Sequence, residues 1–120
     1  MTRLWTVLAA LNAFLAVGTG AFGAHGLRSR VTPRLLEVWE TASRYQMYHA
    51  LGLLGVAWLA SEKGSVADPA GWAMLVGIVL FSGSLYAMTL TGYTRLGAVT
   101  PLGGLGFLVG WALLARAGMR

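Results

Sequence analysis

Hydrophobic and polar positions along this chain fall into long blocks instead of alternating within short ones. Leu4–Ala24, Tyr45–Ser61, Pro69–Thr94 and Leu96–Ala115 hold no Asp, Glu, Lys or Arg. A helix needs about 20 apolar residues to cross a hydrocarbon core of ~30 Å, and each block approaches or exceeds that length. Within lipid the backbone must satisfy its own hydrogen bonds, which a helix does inside one segment. The pattern predicts an all-α integral membrane protein: four transmembrane helices in an antiparallel up-down bundle, one domain over residues 1–120.

The punctuation between blocks predicts where the helices begin and end. Thr32-Pro33, Asp68-Pro69 and Thr100-Pro101 each set a capping residue before a proline. Proline at the first helical position loses no hydrogen bond, and the side chain ahead of it can accept from a first-turn amide. Thr2 offers a cap for the first helix. Gly26, Gly64, Gly92 and Gly118 are the expected stops, in the left-handed conformation. The predicted helices are 3–25, 33–62, 69–91 and 101–117. Residues 1–24 imitate a signal peptide, but an apolar run of 21 residues is long for one and is read as the first helix.

Two segments depart from a plain span. In helix 2, Arg34, Glu37, Glu40 and Arg44 flank an apolar stripe of Leu35, Val38, Trp39 and Ala42. This front part is expected as an amphipathic extension, lying in the membrane interface or standing above it. Helix 4 from Pro101 to Ala115 covers only ~23 Å. Either Leu96–Thr100 dips into the bilayer or the membrane thins there.

Helices in lipid associate through close packing of small residues. The expected seams are Ala9, Asn12, Ala13, Ala16, Thr19, Gly20 and Gly23 on helix 1, and Ala42, Tyr45, His49, Gly52 and Val56 on helix 2. On helix 3 they are Ala70, Ala73, Gly77, Leu80, Ser84, Ala87 and Thr91, and on helix 4 Gly103, Gly106 and Gly110. Gly106-x-x-x-Gly110 would serve equally well as a contact between copies.

Composition narrows the function classes. Charged residues make up 11% of the chain and hydrophobic ones 57%, far from the ~25% charged of soluble domains. The absence of cysteine removes thiolate sites, disulfides and cysteine nucleophiles. The net charge of +5 comes from cations just outside the apolar blocks, where they meet lipid head groups, so no nucleic-acid partner is expected. Five cations fall on one side (28, 30, 34, 44, 95) and four on the other (3, 63, 116, 120), a near tie that permits dual insertion.

Gly18-Thr19-Gly20-Ala21-Phe22-Gly23 spells a dinucleotide-type glycine motif. It ends a membrane helix where that motif would need to begin one, so it reads as packing. Ser82 and Ser84 lack an acid within any span to build a nucleophile around. No enzyme activity, cofactor or metal is expected. His25 and His49 read as structural: His49 bonding Asn12, Gln46 or a carbonyl, and His25 capping helix 1. Asn12 reads as a cross-link between helices.

The larger motifs run in a fixed order: Gly20-Ala-Phe-Gly-Ala-His-Gly-Leu27, Trp39-Glu-Thr-Ala-Ser-Arg-Tyr-Gln-Met-Tyr-His-Ala-Leu-Gly52, Leu80-Phe-Ser-Gly-Ser-Leu-Tyr86, Leu96-Gly97, Thr100-Pro-Leu-Gly-Gly104 and Gly110-Trp111. In these the chain resembles the bacterial domain-of-unknown-function family 423 (YgdD/YwdK-like), which has a related eukaryotic transmembrane branch. The resemblance implies a small multi-pass inner-membrane protein and transfers no catalytic residue.

The functional expectation is a non-enzymatic, self-associating bundle with membrane lipids as partners. Its polar pocket at one interface would be lined by His25, Arg44, Tyr45, Gln46, His49 and Tyr93 and would take a lipid head group or small anion. The alternatives are an oligomeric small-solute transporter or channel, and a metal or haem protein built on His25 and His49.

Overall fold

The Thr32-Pro33 step shows how this sequence starts a helix. Thr32 is extended (φ −66°, ψ 158°) and its hydroxyl accepts the Leu35 amide at 3.2 Å. The computed structural model describes residues 2–120. Helix α1 (Thr2–Phe22) runs into a π turn, Gly23–Leu27. Helix α2 (Pro33–Lys63) is followed by a 3₁₀ turn, Gly64–Ala67. Helix α3 (Asp68–Gly77) passes through a second π turn, Ile78–Ser82, into α4 (Gly83–Thr91). A 3₁₀ turn, Thr94–Ala98, leads to α5 (Thr100–Met119).

Three helical runs are long and apolar enough to cross a membrane: Thr2–Leu27, Pro33–Thr91 and Thr94–Met119. The middle run has 59 residues. Drawn straight it would reach ~89 Å, whereas the longest dimension of the molecule is 48 Å. It therefore doubles back, and Gly64 makes the break with φ 73° and ψ −143°.

The rods pack antiparallel in sequence order. Between α1 and α2, Thr19 meets Ser43 and Asn12 meets Gln46. Between α2 and the α3–α4 rod, the Ser82 hydroxyl donates to Ala42 O at 2.8 Å and Gly52 lies against Met74. Between α5 and that same rod, Gly103 lies on the backbone of Leu80 and Phe81, and Gly110 on Met74. The main core gathers Trp5, Leu53, Val56, Met74, Ile78 and Phe107, with a smaller cluster of Ala42, Leu85 and Met88.

Several boundary expectations need correction. Gly64 and Gly92 take positive φ, but Gly26 and Gly118 do not; Gly26 lies inside the π turn and Gly118 inside α5. Asp68 and Thr100 are not caps. Asp68 accepts a bond from Trp5 Nε1 at 2.8 Å, and Thr100 pairs with the Ser84 hydroxyl at 2.7 Å. Thr2 is itself helical. The front of α2 is continuous with the rest of that helix and its stripe packs inward, with Trp39 and Ala42 buried. Leu96–Ala98 is helical, which lengthens the last run to 26 residues and removes the shortfall expected of it.

Seam expectations fare differently by helix. On α5, Gly103 and Gly110 are buried, and a Cβ on Gly106 would stand 3.2 Å from Gly77 Cα. That stripe is occupied by α3 within one chain, so it is not free for a second copy. On the α3–α4 rod the π turn inserts an extra residue, and Ser82, fully buried, takes the place expected of Leu80. Leu8, outside the expected seam of helix 1, is partly buried against the core.

Candidate functional site

Polar side chains inside an apolar bundle must find partners, since an unmade hydrogen bond there costs several kcal/mol. Five of them find one another. Asn12 Nδ2 donates to Leu8 O at 2.9 Å, and a carbonyl can only accept, so Asn12 Oδ1 is left to face Gln46. Gln46 Nε2 donates to it at 3.0 Å, and Gln46 Oε1 then accepts the Tyr86 hydroxyl at 2.7 Å. With the Tyr86 proton committed, Thr19 Oγ1 is the donor in its 2.9 Å bond to Tyr86. Ser43 follows, 2.7 Å from Thr19, with Ala16 O as an alternative acceptor at 3.1 Å. The direction from Tyr86 to Gln46 and Asn12 is set by that terminal carbonyl, while the Thr19 and Ser43 hydroxyls each also have Ala16 O within reach, at 3.2 and 3.1 Å.

Aromatic packing holds the network in place. Trp39 Nε1 donates to Thr19 O at 2.7 Å, and the Trp39 ring meets Tyr86 edge-on with centroids 4.7 Å apart. Gly23 makes room for that indole, because a Cβ there would come within 2.6 Å of it. The glycine motif at residues 18–23 is thus a packing surface at Gly23 and at Gly20, which lies against Ser43.

Beside the network lies a groove of about 430 Å³ between α1 and the α3–α4 rod. Asn12, Thr19, Gln46, Ser82 and Tyr86 form its polar side; Leu15, Ile78, Val79 and Gly83 complete it. Leu15 and Val79 are exposed on the outer surface of the bundle, so the mouth opens sideways. The π turn supplies three of the lining positions, Ile78, Val79 and Ser82, in keeping with the frequent use of such turns at functional sites.

The structure divides the six residues expected to share one pocket. Gln46 belongs to this network. His49 is buried on another side of α2, facing α5. Its Nδ1 donates to Tyr45 O at 2.7 Å and its Nε2 accepts from Trp111 Nε1 at 3.0 Å, while Phe107 stacks on the ring with centroids 3.5 Å apart. Tyr45 borders that cluster, with its ring 4.8 Å from Phe81. His25, Arg44 and Tyr93 are exposed and make no hydrogen bond or ring contact with the others. Arg44 lines a different, outer groove with Glu40, Ser43 and Gly20.

Both ring nitrogens of His49 are taken, by an acceptor and a donor, which leaves no lone pair for a metal. His25 follows Gly23 at the level of Trp39, and His49 lies ten residues further along α2, about 15 Å of helix axis. The two imidazoles do not form the pair that a metal or haem site would need. Among the described residues no group of three His, Cys, Asp or Glu side chains converges.

Tyr86, Thr19 and Ser43 are members that the sequence reading did not single out for a site. The available signal was the Trp39–Gly52 and Leu80–Tyr86 motifs, which contain Ser43 and Tyr86, and the Thr19 hydroxyl on the seam of helix 1.

Comparison with known proteins gives the family. The family described as "Protein of unknown function (DUF423)" matches residues 19–104. The chain belongs to the DUF423 family. Among its relatives, the UPF0382 membrane protein YwdK of Bacillus subtilis is 48% identical over 120 residues, covering 98% of each chain. The UPF0382 membrane protein SSP2132 of Staphylococcus saprophyticus is 49% identical over 112 residues, covering 93% of each. No solved structure matches. This DUF423 chain is a bacterial membrane protein with multiple helical spans.

Proposed function

We propose that the chain crosses the bilayer four times as an up-down bundle and acts, without catalysis, as a holder for the carbonyl region of a membrane lipid in the groove beside Gln46. The doubling back of the 59-residue run at Gly64 supports four crossings. So does the clustering of Arg3, Glu62, Lys63, Asp68 and Arg116 toward one end.

The observation that carries the reading is a groove walled by neutral polar groups with no charged side chain. Each carboxamide nitrogen has two N–H groups and spends one, and each carboxamide oxygen accepts one bond and keeps a second lone pair. The spare N–H groups suit a neutral acceptor such as an ester carbonyl. The small-anion reading loses support because Arg44 lies outside the groove. Depth agrees. Measured from Lys63, a ~30 Å core ends after about 20 residues of α2, close to Ser43. Gln46 then lies just inside the boundary where ester carbonyls sit.

The test compares ester-linked with ether-linked phosphatidylcholine of the same chains and head group, since the ether lipid lacks carbonyls. The full chain is reconstituted with both and retained lipid is counted by native mass spectrometry. Preferential retention of the ester lipid, abolished by Gln46→Met, is expected. Leu15→Trp, which obstructs the mouth without touching the network, should abolish it as well. Equal retention of the two lipids by the unmodified chain would refute the proposal.

A further inference from the structure

We infer a second site, for the phosphodiester of an anionic phospholipid, in a notch at the end of the molecule that carries Lys63 and Arg120. The notch has a volume of about 110 Å³ and lies between Val66 and Pro69 on one side and the last turns of α5 on the other. This is room for one compact group and not for a whole lipid. Its cationic wall is Arg116 and Arg120, one helical turn apart, and its floor is Leu113 and the buried Ala117.

Charge is arranged here in favour of an anion. Among the described residues neither guanidinium donates to a protein acceptor, so both forks are open to a phosphate, which arginine can bind with two parallel bonds. The nearest acids do not line the notch. Asp68 is turned to α1, where it accepts from Trp5 Nε1 at 2.8 Å. Lys63 donates to Gly118 O at 2.9 Å, which satisfies a free carbonyl at the C-terminus of α5 and adds a third cation nearby. The apolar floor continues down Leu113 toward the hydrocarbon side, as a phosphate that brings acyl chains requires. Basic notches between helices at a membrane boundary are suited to such head groups. This site is independent of the groove beside Gln46.

The experiment uses the full chain in nanodiscs of phosphatidylglycerol and phosphatidylcholine, with retained lipid counted after extraction. One phosphatidylglycerol per chain should be retained in preference. The double variant R116Q/R120Q should lower that affinity about thirtyfold, the effect of two cations at a membrane surface. The charge-matched R28Q/R30Q, at the other end, should leave it unchanged. Leu113→Trp, which fills the notch and keeps every cation, should lower it like R116Q/R120Q and so serves if that variant fails to fold. An equal loss in R28Q/R30Q would reduce the effect to net charge and overturn the site. Displacement of the lipid by excess inorganic phosphate would show that free phosphate, not lipid, is the ligand, and would overturn the lipid assignment.

Discussion

Gly103→Ala should separate α5 from the rod it lies on. A Cβ at this position would overlap Phe81 N and stand 2.7 Å from both Leu80 C and Phe81 Cα. Carbon atoms rest about 3.5–4.0 Å apart, so the helices must part by roughly 1 Å. The obstructing atoms are backbone and cannot rotate away. Overpacking of this kind costs up to about 3 kcal/mol, offset by the ~1 kcal/mol that alanine gains over glycine in a helix. Gly104→Ala is the matched control: its Cβ would meet only Phe81 Cδ2, at 3.9 Å. It should gain the propensity term with no clash. The two variants should therefore differ by about 3 kcal/mol, more than a hundredfold in the folding equilibrium. Unfolding by SDS titration in mixed micelles reads this directly. Stabilities within about 0.5 kcal/mol of one another would refute the claim that backbone contact at Gly103 sets the position of α5.

Trp111→Phe keeps the ring packing but leaves His49 Nε2 without its donor; a loss of about 1–2 kcal/mol is expected in the same assay, and a double-mutant cycle with His49→Phe should show that the two losses are not additive. Thr32→Ala removes the hydroxyl that accepts the Leu35 amide, and should cost ~1 kcal/mol while Thr32→Ser restores most of it, read as helix content and unfolding midpoint. Trp5→Phe breaks the bond to Asp68; amide hydrogen exchange should rise in the 64–72 segment more than at the far end of α1, and uniform exchange would count against a local latch.

Much of this architecture was legible because lipid imposes a coarse rule on the chain. Charge-free blocks located the long helices, Thr32-Pro33 located the start of α2, and the glycines of α5 announced a close approach. Asn12 could be read as a cross-link because a deep amide must pair with something. The partners themselves were not legible, since they depend on the rotation of each rod about its axis. A buried indole N–H needs an acceptor, but nothing local tells Trp39 to choose Thr19 O, or Trp111 to choose His49. Asp68 and Thr100 carried a sound capping signature, which lost to tertiary partners at Trp5 and Ser84. The expected pocket failed for the same reason. Residues 44, 45, 46 and 49 are close in sequence yet point to different neighbours around α2.

The π turn at Ile78–Ser82 has a mechanical meaning. One additional residue shifts the angular phase of everything after it, as a spacer between two gears does. The rod can thus stay in contact with α5 through Gly77 before the spacer and Ser84 after it, while Ser82 and Tyr86 turn toward α2 and α1. Deleting a single residue there would keep the segment helical and apolar while swinging Tyr86 about 100° around the axis, away from Gln46. Variation in length at this point should thus be tolerated far less than variation in side chain.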